Sequence, residues 1–199
     1  MKMAKKFLAV ALAGVLALSV LTGCANGVKS KDVADSLTKM GIKVEQSKDV
    51  DKTAKSTLTA IEAIVDASAK DSSVTAENKI TLDNAVVAAD GKVIKTNTIT
   101  DNTANAVQKA LGVYIAGSTT EKANDGKQVR VALVKTENAK KDASLQAHFV
   151  KDALVTASAA SVPGAGKKVV EPGKLGTATT KDGKYMLVVI VNDVVEENA

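Results

Sequence analysis

Few side chains in this chain could carry out chemistry. Its one thiol is Cys24 and its one imidazole is His148. His148 could serve as a general base or a ligand. It stands beside Phe149, however, with no nearby Cys, His or Glu at metal-ligand spacing, so a structural role is expected and no metal site is assigned. The run Pro163-Gly164-Ala165-Gly166-Lys167-Lys168 is glycine-rich and basic, and backbone amides in such turns can hold anions. A phosphate loop needs Gly five positions before its Gly-Lys pair and Ser or Thr directly after, where this chain has Ser161 and Lys168. What survives is a possible binding loop at Pro163, Gly164, Gly166, Lys167 and Lys168, with a weak anionic contact through the two lysines. Asp49 and Asp51 fit a helix start and Glu196-Glu197 a chain end, and neither pair has the Gly and distal Glu of a calcium loop. No Gly-x-Ser-x-Gly elbow is present, and any catalytic triad would have to recruit the single His. Only Tyr114, Phe149 and Tyr185 could form an aromatic sugar platform beyond the first 24 residues. No catalytic residue and no cofactor are therefore assigned, and an enzyme is not expected.

The elements that would position these groups follow from periodicity. Val33, Leu37 and Met40 recur at i, i+4 and i+7 before Gly41, which predicts a short helix from residue 30 or 31 to 40. Residues 42–44 alternate as a brief strand. Asp49 is then a candidate cap for a longer helix to about residue 70, with Val50, Ala54, Leu58, Ile61 and Val65 on one stripe. Three Asp-Gly-Lys marks, at residues 90–92, 125–127 and 182–184, favour type I′ turns, and each opens a β-prone run. The first run, 93–99, would pair with 85–89, and the third would pair back to 177–180. The unbroken Met-Leu-Val-Val-Ile-Val at 186–191 predicts a central strand covered on both faces. Further helices are expected at 101–111 and at 141–160, the latter with Leu145, Phe149, Val150, Ala153, Leu154 and Ala157 on its stripe. Residues 162–176 hold both prolines and four glycines and are expected to form a mobile loop. The economical arrangement is one α+β domain, with helices packed on a mostly antiparallel sheet.

The amino terminus has a different character. Residues 1–6 are basic, and residues 7–20 are an uncharged apolar run, shorter than the ~20 residues a membrane-spanning helix needs. The run leads into Leu21-Thr22-Gly23-Cys24, which resembles the lipobox of bacterial lipoproteins at every position. The resemblance implies that Cys24 receives a diacylglyceryl group, that cleavage follows Gly23, and that Cys24 becomes the amino terminus. Two or more acyl chains would make a lasting anchor where one binds only reversibly. The expected organisation is a signal peptide at 1–23, a lipidated cysteine and tether at 24–30, and a folded domain at 31–199. In layout the remainder resembles small lipoproteins of Gram-positive gut bacteria, in which one α+β domain ends in a strand like that after Asp182-Gly183-Lys184-Tyr185. That likeness assigns no site residues.

Charge narrows the partners. Without Lys2, Lys5 and Lys6 the 27 basic side chains fall to 24, against 22 acidic ones, so the formal +5 largely belongs to the leader. Arg130 is the sole guanidinium, and aromatics are 2% of the chain, too few for base stacking. Nucleic acid is not an expected partner. The sequence points to the membrane, through lipid on Cys24, and to a protein of the envelope. The expected function is a non-catalytic, lipid-anchored binding or accessory module on the extracytoplasmic face of the cell membrane. The alternatives are a small-ligand or peptide-binding lipoprotein serving a transporter, and an enzyme without a recognisable motif.

Overall fold

A computed structural model describes residues 27–79, 81–83, 127–158 and 166–197. In chain order its elements are helix α1 (Ser30–Lys39), strand β1 (Val44–Gln46), helix α2 (Lys48–Lys70), strand β2 (Lys127–Lys135), helix α3 (Ala143–Ser158) and strands β3 (Lys167–Val169), β4 (Gly173–Thr179) and β5 (Tyr185–Glu196). The fold is α+β. The signal peptide expected at 1–23, the hairpin expected at 85–99 and the helix expected at 101–111 lie outside the described residues.

The sheet runs β1-β4-β5-β2, with β3 added on β5. The β1–β4 pairing is parallel and the others are antiparallel. As expected, β5 is central: Met186 to Ile190 are all at most 2% exposed. Their alternation divides the core. Leu187 and Val189 join Val50, Ala54, Leu58 and Ile61 of α2, whereas Met186, Val188 and Ile190 join Val33 and Leu37 of α1 and Ala147, Val150 and Leu154 of α3. Each such apolar side chain contributes about 1.5–3 kcal/mol on burial. The sheet is thus the middle of three layers.

α1 ends at Gly41 through paired bonds, Ile42 N to Leu37 O and Gly41 N to Thr38 O, both at 3.0 Å. Gly41 takes φ +91°, which explains the stop signal there. The chain enters the core earlier than expected, because Val28 is 5% exposed and Ser30 Oγ lies 2.7 Å from Thr177 Oγ1. The end of the expected tether is therefore part of the fold.

α2 begins at Lys48 after Ser47, one residue before the expected cap Asp49, which instead pairs with Lys52 at 3.1 Å. Asp51 acts at a distance: its Oδ1 accepts the backbone N–H of Thr177 at 2.9 Å, and its Oδ2 accepts Gln46 Nε2 at 2.5 Å. Ser47 N donates to Leu175 O at 2.8 Å. Beyond Leu175, where the three-residue β1 has ended, the first turn of α2 takes over the edge of β4.

Three local expectations change. On α3 the expected Phe149, Val150, Ala153 and Leu154 pack on the core, but Leu145 is left 36% exposed and Gln146 is buried instead, its Nε2 capping Ala139 O at 3.1 Å. The turn at 182–184 is not type I′. Gly183 alone among these residues has positive φ, and the Asp182 carboxylate instead accepts Thr180 Oγ1 at 2.7 Å and Lys184 N at 3.0 Å. The loop expected at 162–176 is largely strand from Lys167 onward, and two of its glycines are packing residues. A Cβ on Gly173 would meet the Asn192 amide at 2.7 Å, and one on Gly176 would meet the Val50 carbonyl carbon at 2.1 Å.

Gly176→Ala forces a methyl into the α2 backbone, so it is expected to destabilise the fold by about 3 kcal/mol or more. Ala178→Gly on the same strand serves as a control for backbone entropy alone, and denaturant melts of the two variants separate the effects.

Candidate functional site

Polar side chains gather at the two ends of the sheet. At the β4–β5 turn, Tyr185 Oη donates to Asp83 Oδ1 at 2.7 Å, and Lys135 Nζ approaches the same oxygen at 3.2 Å. Lys135 also lies 5.9 Å from the Tyr185 ring centroid, within cation–π range. Glu137 takes Lys135 at 3.8 Å and Lys184 at 3.6 Å, and Lys140 Nζ donates to Asp182 O at 3.1 Å. The hydroxyl of Tyr185 and the ammonium of Lys135 hold Asp83 below the usual carboxylate range. Burial, with the Asp83 carboxylate, pushes the Tyr185 phenol up to about 12. The proton stays on the phenol across the physiological range, so Tyr185 serves as a hydrogen-bond donor and not as a base or nucleophile. Nearby, burial pushes Glu62 above its ordinary value, and Asp66 and Asp182 add repulsion.

Further along β2, about 17 Å from Lys135 at ~3.4 Å per residue and opposite Ile190, Arg130 Nη2 donates to Asn192 Oδ1 at 3.2 Å. Asn192 Nδ2 donates in turn to Val170 O at 2.9 Å. Val170 is followed by Glu171, which pairs with Lys43 at 2.8 Å, and by a cis bond to Pro172.

Of the residues singled out from sequence, His148, Gly166, Lys167 and Lys168 are among the described residues. His148 is exposed on α3. Gly166 occupies a turn at φ +78°, Lys168 is exposed on β3, and Lys167 pairs with Glu196 at 3.7 Å. Gly23, Cys24, Pro163 and Gly164 lie outside the described residues. Among the described residues no three His, Cys, Asp or Glu side chains are grouped to hold a metal ion, and no helix is long and apolar enough to cross a membrane. The Arg130–Asn192 pair had no motif to announce it; the one available signal was that 130 is the chain's sole arginine, within an otherwise apolar strand.

No family model, curated protein or solved structure matches this chain.

Two titrations check the electrostatics at the turn end. The folded value of Tyr185 is raised, so its contribution to stability is complete below its ordinary pKa of 10.0 and is lost as pH rises through about 12. Ultraviolet titration of the phenolates should show one tyrosine ionising near 12, and Tyr185→Phe should remove that transition. Glu62 is raised as well, so its ionisation at neutral pH opposes folding. Glu62→Gln should therefore stabilise at pH 7, by about 0.5 kcal/mol or less once solvent screening is counted, and lose that advantage in acid, where the wild-type carboxyl is protonated.

Proposed function

We propose that this chain is a lipid-anchored, extracytoplasmic envelope protein whose folded domain is a non-catalytic binding or accessory module. The observation that carries the reading is Leu21-Thr22-Gly23-Cys24 at the end of a 14-residue uncharged apolar run preceded by Lys2, Lys5 and Lys6. The chain holds no second thiol to accept lipid.

The packing of the first described residues supports this reading. Val28 is in the core four positions after Cys24, so an anchored domain could stand off by at most about 14 Å, whatever the path between them. A Cβ on Gly27 would lie 3.7 Å from the Lys141 side chain, which puts the chain's entry beside the turn that leads into α3. Lys140 of that turn reaches Asp182, so the β4–β5 turn belongs to the same end. Exposed Lys29, Lys140, Lys141, Lys181 and Lys184 cluster there, partly offset by Glu137, Asp142 and Asp182. A lysine close to an anionic bilayer contributes about 1 kcal/mol of attraction. The end nearest the anchor is thus the one whose charge suits a membrane surface.

The test is expression of the full chain in a bacterium, with intact mass analysis and labelled fatty acid. The wild type should lose residues 1–23, carry diacylglyceryl and label, and leave the membrane only in detergent. Cys24→Ala should take no label and remain unprocessed. A wild-type product with a free thiol at Cys24 overturns the anchor. Turnover of any substrate by the lipidated protein overturns the non-catalytic part.

A further inference from the structure

We propose that Arg130, held by Asn192, is a receptor for an oxyanion, a carboxylate or a phosphate, in the half of the sheet remote from the β4–β5 turn. The proposal does not depend on the lipid anchor.

Arg130 lies opposite Ile190 in the β2–β5 register. Side chains alternate along a strand, so Arg130 shares its face with Ala132 and Val134, the face covered by α1 and α3. A guanidinium carries five N–H donors. The bond from Nη2 to Asn192 is the one this group makes among the described residues, and Nε is buried with no partner. The acceptor it has is a neutral amide. The carboxylate that acts on Arg130 through space, Glu171, is already paired with Lys43.

Its surroundings are built. Asn192 is 2% exposed, and its amide fills the space beside Gly173 where a Cβ would otherwise sit. With Nδ2 given to Val170 O, Asn192 presents Oδ1 to Arg130 and holds one of its Nη donors. Burial pulls the Arg130 guanidinium below its ordinary value, and Glu171 opposes this only in part. An arginine remains charged nonetheless. A desolvated charge with no bonded counter-ion costs stability, and an uncharged side chain of similar length would remove that cost. A planar, oriented fork fits the two oxygens of a carboxylate or phosphate, and the bond is stronger where water is partly excluded. β3 connects to Arg130 through Val170 and Asn192.

Because the chain has one arginine, its Nε–H gives one arginine side-chain signal in a proton–nitrogen correlation spectrum. The full chain in an uncharged detergent is titrated with inorganic phosphate and, separately, with acetate, each against sodium chloride at matched ionic strength. The expected result is a saturable shift of that signal by phosphate, acetate or both, beyond the chloride control. Binding should weaken at least tenfold in Arg130→Gln, measured by calorimetry or by anion-dependent melting. Without anions, Arg130→Gln should melt at or above the wild-type temperature, and Arg130→Lys should keep part of the binding. Saturation by phosphate alone identifies a phosphate-bearing ligand, and by acetate alone a carboxylate. A signal no more sensitive to either anion than to chloride overturns the proposal, as does equal anion stabilisation of wild type and Arg130→Gln.

Discussion

The first turn of α2 lies backbone to backbone against β4 at Gly176, and the rest of the architecture depends on that approach. β1 covers β4 for three residues only, leaving the edge beyond Leu175 with unpaired amides and carbonyls. Exposed edges invite pairing with other chains. Here Ser47 N and the Asp51 carboxylate continue the hydrogen bonding that β1 began. Contact this close is possible because residue 176 has no side chain. Once the start of α2 is fixed there, its Val50–Ala54–Leu58–Ile61 stripe falls across β4 and β5 and closes one face of the sheet.

The interior polar groups follow a similar logic. Thr136 Oγ1 holds Gly183 O, Gln146 holds Ala139 O, Thr180 Oγ1 accepts Tyr185 N, and Asn192 holds Val170 O. Each of these buried side chains satisfies a backbone group in a turn or connection, where no ladder supplies a partner. They join the connections to the three layers and cost less than the orphaned backbone groups they replace. The result is a core apolar at its centre and hydrogen-bonded at its two ends.

This division explains what was legible in the sequence. Long stripes were readable: α2, α1 with its Gly41 stop, and β5 as a covered central strand all follow from periodicity, because tertiary packing uses the faces that local pattern defines. The errors came where a distant residue decides a local conformation. Gly173 and Gly176 look like loop glycines until Asn192 and the Val50 backbone occupy the space their side chains would need. Leu145 looks like core until Gln146 is required at Ala139. Asp51 looks like a helix-end carboxylate, yet it serves a strand more than 120 residues away. The Arg130–Asn192 pair was illegible for the same reason, since its partners are 62 positions apart and meet only through strand register.

The two ends of the sheet also treat charge differently. At the β4–β5 turn, Lys135, Lys140 and Lys184 are exposed lysines that each meet a carboxylate or a backbone carbonyl of the fold. Farther along β2 the cation bonded to Asn192 is an arginine, in a chain whose other 26 basic residues are lysines. A lysine at position 130 could carry its ammonium on a flexible stem toward water, as long charged side chains commonly do. A guanidinium is planar, less strongly hydrated and presents its donors in a fixed fork, which makes it the cation suited to partial burial when an oxyanion is to be met. The departure from lysine therefore coincides with the burial, the neutral partner and the unsatisfied Nε. A residue retained merely to close the sheet end would need none of these properties, because an apolar side chain continuing the run from Val131 to Val134 would close it at lower cost.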